Sequence, residues 1–246
     1  MISGLPAWLL ERYSALTLQF GRLGFTLGEA REVLGDTPRV AVVLHRLKER
    51  GWADSWERSE YRLIHPLARF SMTSSPWREQ VKQADRLPVL ELAVASLLGG
   101  LGRGLKSIVL FGSLSRGEAK PESDVDLLVV ASGLPERYGE RTKVLNAILA
   151  SREADAWRTR LWNERRIYPL VDVLALTPEE AQETQPFFLD MVKHRVTILD
   201  RERIVERKLE RLGEMLSELG GREVLLSDGG GYWIIPRGEK GREVEL

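Results

Sequence analysis

Gly112 and Ser113, then after ten residues Asp124-Val125-Asp126, are the residues of this chain whose types and spacing could do chemistry. An apolar run over residues 108–111 ends in the Gly-Ser pair. A polar loop follows, and a second apolar run, 127–130, begins directly after the acids. Side chains of a strand alternate between faces, so Asp124 and Asp126 are expected to point one way and Val125 the other. Two carboxylates a few ångströms apart repel each other unless a cation lies between them. Hard divalent ions such as Mg2+ or Mn2+ take oxygen ligands of that kind. Gly112 lets a backbone approach phosphate oxygens, and Ser113 adds a hydroxyl and an N–H beside it.

Alone, Asp-x-Asp is a common way for a strand to begin, and Gly-Ser is only a turn. Together, at this spacing and between two strand-like runs, they are far more specific. The combination resembles the signature of the DNA polymerase beta-type nucleotidyltransferase superfamily, in its minimal nucleotidyltransferase branch. That resemblance covers roughly residues 86–200. It implies an α/β (α+β) fold built on a small mixed sheet, and a third carboxylate on a neighbouring strand. Residues 166–176 form a β-rich run with one acid, Asp172. Buried unpaired among apolar neighbours, that Asp would cost several kcal/mol. On an edge strand facing water it would cost nothing.

The resemblance also implies roles. Asp124 and Asp126 would bind two Mg2+ (or Mn2+) ions. Asp172 would bind the second ion and help to deprotonate the attacking hydroxyl. Gly112 and Ser113 would hold the triphosphate of an incoming nucleotide. Paired ions stabilise the attacking and leaving oxygens of an in-line displacement, here at the α-phosphorus with loss of pyrophosphate. An Arg-Gly pair in the loop is common in this branch, and Arg116-Gly117 matches it, with Ser115 as a minor departure before it. Arg116 would either neutralise phosphate charge or pair with Glu118 or Glu122 on its own loop.

Composition sets outer bounds. The 246 residues hold 36 basic and 36 acidic side chains, so the formal charge is zero. That length suits one large or two ordinary domains, and 43% hydrophobic content is enough to bury cores. Without cysteine there is neither a disulfide nor a Cys-based zinc site, and three histidines scattered in sequence argue against a His-based metal site. Residues 1–10 lack the basic start of a signal peptide, and the longest uncharged apolar stretch, 92–102, is short for a bilayer span. The expectation is a soluble, cytoplasmic protein with no membrane partner.

The elements that must position these residues follow in order. Residues 1–70 read as helix, helix, helix and hairpin, which resembles a winged helix-turn-helix. Thr26-x-x-Glu29 is a capping box. Thr37-Pro38 starts a third helix that Gly51 closes, and Arg39, Arg46 and Arg50 fall in one stripe on it, placed to contact DNA. Yet residues 1–70 carry ten basic and eight acidic residues, a modest excess for a DNA binder. Residues 71–85 read as a linker opening with the polar Ser71-Met-Thr-Ser-Ser-Pro76. Residues 86–200 are the nucleotidyltransferase domain, entered by a helix over 86–98 and a loose turn of glycines, Gly99 to Gly104. Residues 201–246 add a helix and a hairpin around Asp228-Gly229-Gly230.

Two functions fit. One is a metal-dependent nucleotidyltransferase that moves a nucleoside monophosphate from a nucleoside triphosphate to an acceptor hydroxyl, with a DNA-binding front unit. The other is a winged-helix DNA-binding regulator or antitoxin that keeps the nucleotidyltransferase fold as a nucleotide sensor or docking module. The resemblance brings with it, as partners, a nucleoside triphosphate, duplex DNA through residues 1–70, and a toxin of the HEPN class. A homodimer is also open to it.

Overall fold

The computed structural model describes residues 4–35, 39–57, 59–225 and 231–236. The chain opens with helix α1 (Ala7–Phe20), strand β1 (Phe25–Thr26), helices α2 (Leu27–Leu34) and α3 (Val40–Glu49), and strands β2 (Ala53–Ser55) and β3 (Glu60–Leu63). The three strands pair antiparallel in the order β1-β3-β2. Thr26 and Glu29 make both bonds of the capping box: the Thr26 hydroxyl accepts the Glu29 N–H, and the Glu29 carboxylate accepts the Thr26 N–H. Two-residue β1 is too short to leave an alternating pattern, which is why it is invisible in the sequence. The expected start of α3 at Thr37-Pro38 lies outside the described residues. Leu9, Leu16, Val40, Leu44, Leu47 and Trp52 are among the side chains that close this unit's core.

Helices α4 (Pro66–Ser71), α5 (Trp77–Gln80) and α6 (Leu87–Leu101) lead to a second sheet. Its chain order is β4 (Leu105–Phe111), α7 (Gly112–Arg116), β5 (Val125–Ala131), α8 (Tyr138–Leu149), α9 (Arg152–Arg165), β6 (Val171–Leu176), α10 (Phe188–Lys193), β7 (Val196–Asp200) and α11 (Ile204–Glu218). A hairpin of β8 (Arg222–Leu225) and β9 (Gly231–Ile234) follows; its expected turn at 228–230 lies outside the described residues. The sheet order is β6-β5-β4-β7, with β5 and β6 parallel and the other pairs antiparallel. The fold is therefore mixed α/β, as expected.

Alternation along the strands divides the core. Ile108, Leu110, Val125, Leu127 and Val129 pack with α6 on one face. Val109, Leu128, Val130 and Leu176 pack with α10 and α11 on the other. Helix α11 starts at Ile204, the first residue of its apolar side, because Glu202 and Arg203 before it take positive φ of 64° and 54°. Asp200 then caps it, accepting the N–H groups of Ile204, Val205 and Glu206.

Two sequence expectations need correction. Helix α6 continues through Gly99 and Gly100 instead of breaking there. A Cβ on Gly100 would meet Ile148 of α8 at 2.7 Å, so glycine here permits close helix packing and is not a turn signal. The helical run Ala84–Gly104 is long and apolar enough, by length and composition, to cross a membrane. In this structure its side chains are spent on the sheet, α4, α8 and α9. The second correction concerns residues 71–85. Trp77 is fully buried in the sheet core and donates its indole N–H to Ser71 Oγ at 3.0 Å. Ser71 and Ser74 bond backward to local carbonyls, and Ser75 reaches the Thr197 carbonyl at 2.7 Å. Those hydroxyls satisfy backbone groups in a packed strap, where polarity alone suggests a free tether.

The two units meet across charged and aromatic contacts. Glu91, in the middle of α6 and almost without solvent exposure, accepts from Arg62 of β3 at 2.6 Å and from Arg78 of α5 at 2.6 Å. Asp54 of β2 binds both arginines. Burial alone would raise the Glu91 carboxyl, but Arg62 and Arg78 outweigh it and hold it below its usual range. Nearby, Trp56 stacks edge-on against Trp157 of α9, and Arg160 pairs with Glu60.

Candidate functional site

The register of the sheet gathers the acids. Asp126 on β5 lies opposite Phe111 on β4 and opposite Asp172 on β6. Adjacent strands stand about 4.8 Å apart, so the two carboxylates are neighbours. Both share parity with Leu128 and Leu176, so they stand on the face that α10 and α11 cover. Asp124, one step before β5, has the same parity, and Val125 is buried on the opposite face. Asp172 is exposed on an edge strand, so it bears no burial cost, and the register sets it beside Asp126.

Gly112 directly follows Phe111 and has φ of +68°. A Cβ there would sit 2.1 Å from Asp126 Oδ2, so the backbone of the Gly-Ser turn touches the carboxylate and admits no side chain. Ser113 follows on α7. Ser115 Oγ donates to the Gly112 carbonyl at 2.8 Å and to the His194 carbonyl at 3.1 Å, which ties the turn to the loop between α10 and β7. Arg116 closes α7 and pairs through Nε with Glu118 Oε2 at 3.1 Å.

Electrostatics record the crowding. The Asp126 carboxyl is pushed up to about 6 by burial first, then by Asp172 and Asp124, with Arg116 pulling the other way. Arg116 therefore bears on the carboxylates as well as on Glu118. Among the described residues, no three His, Asp or Glu side chains are already gathered to hold a metal ion. The donor set still fits one in kind: three carboxylates on one face, with neither sulfur nor imidazole among them, suit a hard divalent cation. Their mutual repulsion is what such an ion would relieve.

A second group of side chains borders the turn and was missed in the sequence. His194 Nε2 lies 3.3 Å from Glu223 Oε2, and Lys193 Nζ lies 3.5 Å from the same oxygen. Asp190, exposed on α10, is raised by partial desolvation, lowered by Arg116 and raised by Glu223. No motif joins residues so far apart in sequence; only the fold brings them to the Gly-Ser turn.

Arg39, Arg46 and Arg50 are not brought to the carboxylates. They lie on and beside α3 in the N-terminal unit, Arg39 and Arg46 exposed and Arg50 half-buried. A cleft of about 650 Å³ there is lined by Trp8, Arg12, Leu34, Arg39, Val40, Val42 and Val43, and shares no residue with the acidic site.

Comparison with known proteins gives the family. The family model described as "Nucleotidyltransferase domain" matches residues 93–240. A putative protein adenylyltransferase of Methanocaldococcus jannaschii is 56% identical over 48 residues, which is 20% of this chain. The match spans about a third (33%) of that relative's length. Among solved structures, a toxin–antitoxin complex with AMP-PNP aligns with a TM-score of 0.31 and 14% identity, covering 52% of this chain and 90% of that one. The toxin–antitoxin structure MntA-HepT aligns with a TM-score of 0.28 and 12% identity, over 56% and 93% of the two chains.

Proposed function

This chain belongs to the nucleotidyltransferase domain family, and from that premise we propose that it moves the adenylyl group of ATP to a hydroxyl on a protein. The observation that carries the reading is the register that sets Asp126 beside Asp172, with Gly112 in contact with Asp126. The name of the relative supports the choice of nucleotide and acceptor.

In this reading Asp124, Asp126 and Asp172 hold Mg2+ or Mn2+. Bound there, the metal neutralises charge on the phosphates and on the attacking oxygen. Gly112 and Ser113 bind the triphosphate through backbone N–H groups and the Ser113 hydroxyl. Arg116 neutralises phosphate charge beside them. Asp172, on the edge strand and open to solvent, faces the acceptor and takes the hydroxyl proton on a carboxylate oxygen. Residues 1–70 act as a winged helix that binds duplex DNA through α3, a reading supported by the order helix, strand, helix, helix, hairpin.

Incubation of the protein with each α-labelled nucleoside triphosphate and Mg2+, with and without extract, tests this. ATP should label a protein band. Asp172→Asn, nearly isosteric but neutral, should cut the transfer by orders of magnitude while weakening nucleotide binding only modestly. Transfer by Asp172→Asn at the parent rate would remove that residue from the site. Labelling by no triphosphate under any condition would overturn the reading and favour the nucleotide-sensing regulator.

A further inference from the structure

The acidic site has a basic border on the side away from Asp172. In the sheet order β6-β5-β4-β7, Asp172 and Asp126 occupy the first two strands and the Gly-Ser turn ends the third. The fourth is entered from Lys193 and His194, and the Ser115 hydroxyl ties His194 to the turn. Strand spacing puts β7 about 10 Å from β5, a span a triphosphate can bridge from the carboxylates across the turn. Helix α10 and the C-terminal hairpin cover the same sheet face that carries the acids.

We propose that Lys193 and His194, beside Arg116, bind the β- and γ-phosphates of the nucleotide and the departing pyrophosphate, and that Glu223 takes the phosphates' place when the site is empty. The proposal rests on the nucleotidyltransferase reading and adds to it where the triphosphate tail lies. Glu223 Oε2 sits between the two side chains, 3.5 Å from Lys193 Nζ and 3.3 Å from His194 Nε2, and is mostly buried. A carboxylate oxygen in that position does for the two donors what a phosphate oxygen would do. Asp190 feels both Arg116 and Glu223, so the cation on α7 and the acid on β8 belong to one cluster. Because Glu223 lies on β8, a phosphate that displaces it also loosens one tie of the C-terminal hairpin. Other ties among the described residues include the Trp233 indole N–H on the Leu189 carbonyl at 3.2 Å and Lys193 over the Trp233 ring.

Calorimetry on the full chain with Mg2+ separates the parts, using a non-hydrolysable ATP analogue, pyrophosphate and AMP as probes. Lys193 is half exposed, so Lys193→Ala should fold. It should weaken the ATP analogue and pyrophosphate about tenfold, the scale of one lost charge-assisted bond, and leave AMP unchanged. Glu223→Gln should tighten both phosphate probes several-fold by removing the competing charge. If the parent binds these probes and both variants bind them equally well, the proposal falls while the nucleotidyltransferase reading stands. The same holds if the variants shift only the melting temperature, since Lys193 then merely pins the hairpin. If the parent binds none of the three with Mg2+, the nucleotidyltransferase reading fails and takes this proposal with it.

Discussion

Asp126 and His65 make opposite use of the same range of pH. Asp126 is raised from 3.8 to about 6, by burial and then by Asp172 and Asp124. His65 is lowered from 6.5 to about 4, by burial and then by Arg22. The folded chain holds the Asp126 proton more tightly than the unfolded chain does, so this residue favours folding as pH falls from about 6 to about 4. The folded chain holds the His65 proton less tightly, so its contribution is fully present above pH 6.5 and is lost as pH falls toward 4. Each effect is on the order of 3 kcal/mol before solvent screening, which reduces it for these half-exposed groups, and they oppose each other. Protonated His65 also gives up the Nδ1 that accepts the Leu67 N–H at the start of α4. Without divalent ions, Asp126→Asn should be more stable than the parent to urea at pH 7, with the gap closing by pH 4. His65→Asn, which keeps a capping oxygen, should lose less stability than the parent between pH 6.5 and 4. Gaps that do not vary with pH would show that neither group titrates as its surroundings require.

Helix α3 is the element whose role is most sharply narrowed by its packing. Arg39 and Arg46 are exposed, while Arg50 is half-buried and gives its carbonyl to Arg69 Nε. Arg62, a basic residue of the hairpin, is committed to Glu91 and Asp54 and is 3% exposed. Lys48 donates to Ser55 Oγ at 2.6 Å. Two free-standing arginines release few counterions, so duplex DNA binding should be modest and its log–log salt slope about −2. Arg46→Ala should bring that slope to about −1 in gel shifts. No shift at low salt would leave α3 as a protein-docking helix, with exposed Val42 and Trp8 beside the cleft. Elements of this kind differ in how openly the sequence announces them. The Gly-Ser turn and Asp124-x-Asp126 are legible because their parts are close in sequence and strand parity does the rest. Asp172 is legible as a lone acid in a β-rich run. Gly100 misleads, because what it accommodates, Ile148, is on another helix. The Lys193–His194–Glu223 border and the burial of Trp77 depend on contacts between distant segments, which no local pattern carries.

At the scale of the whole molecule, the two units share one buried charge cluster, so they should not melt apart. Glu91→Ala strands Arg62 without its main partner and should cost about 3–5 kcal/mol; Glu91→Gln, which keeps an acceptor, should cost less. Calorimetry of the parent should give one transition, and both variants should lower it without splitting it. Two separate transitions in the parent would mean that the strap over 71–76 works as a hinge after all. The cluster also bears on inheritance. A recombination event that exchanged residues 1–70 for another front unit would leave Glu91 facing no Arg62, in a helix enclosed on nearly every side. Such an exchange needs a matching change at position 91 in the same step. The seam between the halves therefore acts as a lock on shuffling, and the two halves are expected to descend together, with the acid on one side and the arginine on the other changing only as a pair.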